Sequence, residues 1–139
     1  MNDLEKAKSA LKEGHTLVLC KGGELLISDK KGISPIMDFI DGGKDLKNYC
    51  AADIIVGKAA ALMFVKCGIN QVYAEVLSQS GKTVLEKFKT EYGYGALTEK
   101  ILNRAGDGIC PMEQATSGTE DPEEAYILLK QTLENLRNI

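Results

Sequence analysis

Histidine is nearly absent from this sequence of 139 residues, which contains only His15. A Ser-His-Asp triad or a multi-histidine metal site therefore cannot be built within one chain. The four cysteines, Cys20, Cys50, Cys67 and Cys110, are widely spaced, and no two of them form a C-x-x-C pair. This spacing argues against a zinc knuckle and against a disulfide framework. It predicts four free thiols and a cytoplasmic location.

Long hydrophobic runs and an excess of positive charge are also lacking. The longest apolar stretch covers residues 59–65, far short of the roughly 20 residues that cross a bilayer. The N-terminus has no basic start followed by an apolar run. The 17 Lys and Arg residues are outnumbered by 20 Asp and Glu residues, and the net charge is −3. We therefore expect no membrane segment, no secretion signal and no binding to duplex nucleic acid.

The composition is that of a globular chain, with 44% hydrophobic and 27% charged residues. We find no repeat, linker or change of composition, so the sequence predicts one domain over residues 1–139. Helical and strand patterns alternate along it, which predicts an α/β fold with a mixed sheet. The expected helices cover residues 3–13, 35–40, 54–67, 84–88 and two C-terminal segments, and the expected strands cover 15–20, 24–27, 71–78 and 92–97.

Cys110 is the strongest candidate for chemistry. Pro111 suits the first position of a helix, which places Cys110 at the N-cap, where free N–H groups and the helix dipole favour a thiolate. The sequence therefore predicts a nucleophilic thiol, with Glu113 orienting a polar group beside it. The alternative is that Cys110 is a small buried capping residue with ordinary reactivity.

Lys58 and Asp53 form a second candidate group at the start of the apolar segment. Lys58 stands between Gly57 and three alanines, which suggests a polar cavity, although its amine can also extend to solvent. Asp53 is expected to cap the helix of residues 54–67, and it is also a candidate ligand-binding residue. Asn103 and Arg104 precede Cys110 by a flexible loop and are predicted to hold an anionic group, the alternative being a solvated turn.

Four motifs extend over nearly the whole chain: Gly32-Ile33-x-Pro35, Ala52-Asp53-x-x-Val56-Gly57-Lys58-Ala59-Ala60-Ala61, Val72-Tyr73-Ala74 and Asn103-Arg104-x-Gly106-x-Gly108-x-Cys110-Pro111-Met112-Glu113. Together they resemble the bacterial family known as domain of unknown function 1893. The resemblance implies a cytidine-deaminase-like, three-layer α/β/α fold. It also implies that the helix of Lys58 and the helix of Cys110 face each other across the active-site position.

The zinc motifs of true deaminases are missing. Those enzymes need H-x-E or C-x-E on one helix and P-C-x-x-C on a second. Here Val56-Gly57-Lys58 and Cys110-Pro111-Met112-Glu113 stand in the corresponding regions, and one thiolate cannot supply three zinc ligands. We therefore expect no bound metal, no cofactor and no zinc-dependent deamination.

Two functions remain open. In the first, the chain binds a small anionic or nucleotide-like ligand or acts through the thiol of Cys110, with Lys58 and Glu113 assisting and with Asn103 and Arg104 holding the ligand. In the second, the chain is a non-catalytic regulator that works by self-association. The polar residues near Cys110 favour the first function, and the loss of the zinc motifs favours the second. The deaminase-like resemblance implies a homo-oligomer in either case.

Overall fold

A computed structural model of the protein describes residues 1–137, which form six helices and a five-stranded sheet. In chain order the elements are α1 (Asp3–Leu11), β1 (Leu17–Lys21), β2 (Glu24–Ser28), α2 (Ser34–Asp41), β3 (Cys50–Val56), α3 (Lys58–Cys67), β4 (Gln71–Ser78), α4 (Gln79–Lys87), β5 (Glu91–Thr98), α5 (Pro111–Thr116) and α6 (Pro122–Arg137). The predicted α/β class is confirmed. None of the helices in this part of the chain combines the length and the apolar character that crossing a membrane requires.

The sheet is mixed, as predicted, with strand order β2-β1-β3-β4-β5. Strand β1 is antiparallel to both of its neighbours, whereas β3, β4 and β5 are parallel. The β1–β2 hairpin turns at Gly22 and Gly23, whose φ angles are 58° and 84°. Residues that carry a Cβ atom rarely adopt such positive φ angles. The glycine pair therefore suits this turn. Helices α3 and α4 supply the crossovers that parallel strands require.

The segment before α3 corrects one prediction. Residues 50–56 form β3, and the helix begins only at Lys58, with Gly57 as its N-cap. The prediction of a helix from residue 54, capped by Asp53, was therefore wrong. Asp53 lies within β3, directly opposite Leu17 of β1 and Ala74 of β4. Residues 50–52 are buried on both faces of the sheet, so the start of β3 has no alternating pattern that would distinguish it from a buried helix.

Two hydrophobic clusters fill the interior, and they contact alternate residues of β1. The large cluster includes Leu17 and Leu19 together with residues of α2 to α6, among them the fully buried Phe64. The small cluster lies beneath α1. Its buried members are Ala7, Ala10, Leu11, Val18, Cys20 and Ala52.

The predicted helix starts near the C-terminus agree with the structure. Cys110 is the N-cap of α5 and Pro111 is its first residue. At α6, the Asp121 carboxylate accepts the N–H of Glu123 at 3.0 Å. The four cysteines are free thiols, as expected.

Candidate functional site at the start of helix α3

The N-terminus of α3 is bound by a carboxylate from α5. The two side-chain oxygens of Glu113 accept hydrogen bonds from the backbone N–H groups of Lys58 and Ala59, each at 2.9 Å. The first N–H groups of a helix have no partner within the helix, and the helix dipole favours negative charge there. Glu113 therefore satisfies two of these donors and joins α5 to α3. We call this contact the α3–α5 junction.

Glycine at position 57 is required by the closeness of this contact. A Cβ atom at Gly57 would lie 2.2 Å from Oε1 of Glu113, well inside van der Waals contact. On the other side, the backbone carbons and oxygens of Val56 and Gly57 lie close to Gly81 of α4, where a Cβ atom would meet them at 3.1 Å. Two glycines thus allow α4 and α5 to approach the start of α3 together.

Lys58 is also engaged within the junction. Its side chain is half-buried, and its amine donates to the backbone carbonyl oxygen of Ser117, just after α5, at 3.3 Å. The structure therefore brings together two of the three predicted catalytic residues, Lys58 and Glu113, through the backbone N–H of Lys58. Both of them bind backbone groups of the protein itself.

Cys110 is the third predicted catalytic residue, and it stands one helical turn before Glu113. Its backbone N–H donates to the Ile101 carbonyl and its carbonyl accepts the N–H of Gln114, both at 3.0 Å. Its side chain is half-buried against the large cluster and makes no capping hydrogen bond. The thiol is therefore held at the N-cap by its backbone and by apolar packing.

The other three thiols lie in less favourable surroundings for ionisation. Burial raises the pKa of Cys20 and of Cys50, and the nearby Asp3 carboxylate raises both further. Burial raises the pKa of Cys67 to about 11, although Lys66 opposes this effect. Each of these cysteines is thereby kept as a neutral thiol at physiological pH.

Asn103 uses its side chain within its own loop. Its Oδ1 accepts the N–H groups of Gly106 at 2.8 Å and Asp107 at 3.3 Å, and its Nδ2 donates to the Asp107 carboxylate at 3.0 Å. The loop is closed further by the bond from the Asn103 N–H to the Gly108 carbonyl at 2.8 Å. Arg104 is exposed on the same loop. The polar atoms of Asn103 thus bind the loop rather than the α3–α5 junction.

Asp53 is a half-buried carboxyl group on the strand that leads into the junction. Burial raises its pKa to about 8, against the opposing effect of the backbone N–H groups of Ile54 and Ile55. Its partners across the sheet, Leu17 and Ala74, both belong to the large cluster. Such an apolar environment favours the neutral acid. A charged residue inside an otherwise apolar strand was the one signal in the sequence for this environment.

Two surface cavities lie away from the junction, and no metal-binding cluster coincides with it among the described residues. Within residues 1–137, no three side chains of His, Cys, Asp or Glu come close enough together to hold a metal ion. A surface cavity of about 220 Å³ lies elsewhere and is lined by Ile40, Lys44, Asp45, Leu46, Lys66 and Cys67. A smaller one of about 40 Å³ lies between α2 and α6.

The mixed sheet and its helical crossovers define an α/β protein. Residues 6–133 match the family model described as "TM1506: Domain of unknown function (DUF1893)", and the chain therefore belongs to this family. The family resemblance of the sequence motifs is confirmed. The crystal structure of a DUF1893 family protein (TM1506) from Thermotoga maritima is similar to this structure, with a TM-score of 0.82 and 22% sequence identity. The match covers 97% of this chain and 91% of that chain, and it shows a shared fold. No curated protein matches the sequence significantly.

Proposed function

We propose that this chain is a non-catalytic, self-associating regulatory protein built on a degenerate deaminase scaffold. The observation that carries this proposal is the double hydrogen bond from Glu113 to the start of α3. The junction holds a carboxylate of the protein where an anionic ligand would bind. A small anionic or nucleotide-like ligand would have to displace Glu113 and break two charge-assisted hydrogen bonds to enter.

The scaffold that we propose is the three-layer, cytidine-deaminase-like arrangement. Two features support it: the strand order β2-β1-β3-β4-β5, and the packing of α1 on one cluster while the other helices pack on the second. We also propose a cytoplasmic location, because a reducing compartment would keep the four free thiols reduced.

Strand β5 is the surface through which we expect two copies to associate. Within the described residues it pairs only with β4, so its outer edge presents unpaired backbone groups. Residues 92–98 contain neither a charge nor a proline, the usual features that protect an edge strand. Tyr94 and Leu97 are 40% and 37% exposed there. A two-fold axis would pair β5 antiparallel with the same strand of a second copy.

A charge placed on this strand tests the proposal. The matched variant pair is Leu97→Lys on β5 and Ile127→Lys on α6, where Ile127 is 56% exposed. We expect the unaltered protein and Ile127→Lys to be dimers by sedimentation equilibrium at micromolar concentration, and Leu97→Lys to be a monomer. A lysine on an edge strand disfavours edge-to-edge pairing with a second chain.

Two outcomes would contradict the proposal at different levels. An unaltered protein that is monomeric at high micromolar concentration would overturn self-association itself. A Leu97→Lys protein that remains a dimer with an unchanged dissociation constant would overturn only the assignment to β5. Circular dichroism of each variant checks that the fold is retained.

A thiol function of Cys110 is the second candidate. It is favoured by a specific contrast: Cys110 is half-buried at a helix N-cap, while burial raises the pKa of the other three thiols. Limited alkylation at neutral pH, followed by peptide mapping, ranks the four cysteines. We expect Cys110 to react first. If Cys110 reacts no faster than Cys67 in the folded protein, the thiol function fails.

A further inference from the structure

Cys20 and Cys50 are direct partners across the β1–β3 pair. The antiparallel register sets Cys20 opposite Cys50, just as it sets Leu19 opposite Ala51 and Val18 opposite Ala52. Directly opposite residues project from the same face of a sheet, so both thiols lie on the face that α1 covers. Both residues are buried, at 0% and 4% exposure.

The two thiols are close enough to be joined. Opposite residues of an antiparallel pair have Cα atoms about 4.5–5.5 Å apart, and a disulfide spans about 4.4–6.8 Å. Their Cβ atoms are about 4.5–5.5 Å apart, whereas a relaxed disulfide prefers about 3.5–4.5 Å. The two strands would therefore have to approach slightly, and the resulting bond would be strained and easily reduced.

Each thiol currently donates to a different acceptor. Sγ of Cys20 lies 3.6 Å from Oδ1 of Asp3, and Sγ of Cys50 lies 3.5 Å from Oε1 of Gln71. Rotation of both side chains away from these acceptors would turn the sulfur atoms toward each other. The reduced pair thus has its own hydrogen bonds, and oxidation exchanges them for one covalent bond.

We propose that Cys20 and Cys50 form a reversible cross-strand disulfide, a redox modification site that is separate from the α3–α5 junction. The oxidant is a small-molecule disulfide. When α1 opens, one cysteine loses its proton to solvent. Its thiolate attacks a sulfur of this molecule, forms a mixed disulfide and releases one thiol. The second cysteine, as its thiolate, attacks the protein-bound sulfur, closes the Cys20–Cys50 bond and releases the second thiol. Two protein thiols are oxidised and one disulfide molecule is reduced to two thiols. The two protons that the cysteines lose are taken up by the two released thiols.

Access to the pair depends on α1. The helix packs Ala7, Ala10 and Leu11 in one cluster with Cys20, and Cys50 lies opposite Cys20 across the strand pair. Its first residue, Asp3, holds it to the β1–β2 turn by accepting the N–H groups of Gly22 at 3.0 Å and Gly23 at 3.3 Å. Local opening of α1 would expose the thiols without unfolding the rest of the sheet. Opening of α1 therefore sets the rate of oxidation.

The test uses the Cys67→Ser, Cys110→Ser double variant, which keeps only the proposed pair. It is equilibrated with excess oxidised glutathione, quenched with acid and analysed by intact mass and non-reducing peptide mapping. We expect a loss of the mass of two hydrogen atoms, a link between the peptides of Cys20 and Cys50, and full reversal by dithiothreitol. Matched controls add Cys20→Ser or Cys50→Ser, and neither is expected to lose this mass. Mapping of the unaltered chain provides a second measurement if a variant fails to fold.

Leu11→Ala in the same background tests the role of α1. We expect oxidation to accelerate by about tenfold, because local opening governs access to the buried thiols. Three results would each overturn the cross-strand bond. They are two thiols that remain free, two separate glutathione adducts, and a disulfide between two chains. An oxidation rate unchanged by Leu11→Ala would overturn the control by α1.

Discussion

The two hydrophobic clusters are closed by different means. The large cluster packs fully buried Leu62, Met63, Phe64 and Leu85 from α3 and α4, and the α3–α5 junction lies at its border. The small cluster is covered by α1, which contributes mainly alanine. Larger side chains remove more apolar area from water, so the large cluster supplies most of the stability. The small cluster, which contains Cys20, is therefore covered by less apolar area than the large one.

The largest expected effect comes from removing the centre of the large cluster. Phe64 is completely buried on α3, and Phe64→Ala is expected to lower the free energy of unfolding by about 3–5 kcal/mol. Leu11→Ala in the small cluster is expected to lower it by about 2 kcal/mol, because α1 can settle onto the space that is left. Urea denaturation of both variants measures the difference.

Phe88→Ala is the matched control for the aromatic substitution. Phe88 is partly exposed at the end of α4, and its loss should lower the free energy of unfolding by about 1 kcal/mol or less. If Leu11→Ala proves as costly as Phe64→Ala, the two clusters are equally important and the comparison fails.

Most of this architecture is readable from the sequence. The Gly22–Gly23 turn, Pro111 and the Asp121-Pro122 start each impose a local geometry that the structure adopts. Strand β3 could not be read in this way, because its first residues, 50–52, are buried on both faces and show no period. The strand is then followed, after Gly57, by an apolar helix. The β-branched run Ile54-Ile55-Val56 was the available signal for a strand.

The candidate site was only partly predictable for a different reason. Lys58, Cys110 and Glu113 were singled out by residue type and by the Pro111 helix start, and Lys58 and Glu113 do meet. What the sequence could not reveal is that Glu113 binds the backbone of α3. That contact joins residues 55 positions apart, and only the tertiary packing of α5 creates it.

The second prediction measures how much the α3–α5 junction contributes to stability, apart from the large cluster beside it. Glu113→Ala removes two charge-assisted hydrogen bonds and is expected to lower the free energy of unfolding by about 2–3 kcal/mol. Gly57→Ala should cost a similar amount, because its Cβ would displace the Glu113 carboxylate. In the double variant the clash is gone, so Gly57→Ala should then cost less than about 0.5 kcal/mol. Urea denaturation of the four proteins gives the coupling energy.

Glu123→Ala serves as the control for loss of an acidic side chain. Glu123 pairs with Lys66 at 2.7 Å on the surface, and its removal should change stability by about 0.5 kcal/mol or less. If the effects of Gly57→Ala and Glu113→Ala simply add, the two residues are not coupled and the junction does not act as a unit.

The last effect is a pH dependence, and it concerns Asp53, a carboxyl group opposite residues of the large cluster. The pKa of Asp53 is about 8 in the folded protein, against 3.8 for an ordinary aspartate. Between these values the folded chain keeps a proton that the unfolded chain releases. The free energy of unfolding therefore falls as the pH rises from about 4 to about 8, and it levels off above that. Below about pH 4 both states are protonated, and the contribution of Asp53 to stability is fully present.

Asp53→Asn should remove this slope, because the amide stays neutral at every pH. We expect the variant to match the unaltered protein near pH 4 and to be the more stable of the two at pH 8. The gain is smaller than a wholly buried carboxyl would give, since Asp53 keeps some contact with solvent. Asp38→Asn, on the exposed side of α2, controls for the loss of one negative charge. Urea denaturation across pH 4–8 measures how the free energy of unfolding changes with pH. If that change is the same for Asp53→Asn and for the unaltered protein, the large cluster accommodates a charged Asp53 without loss of stability.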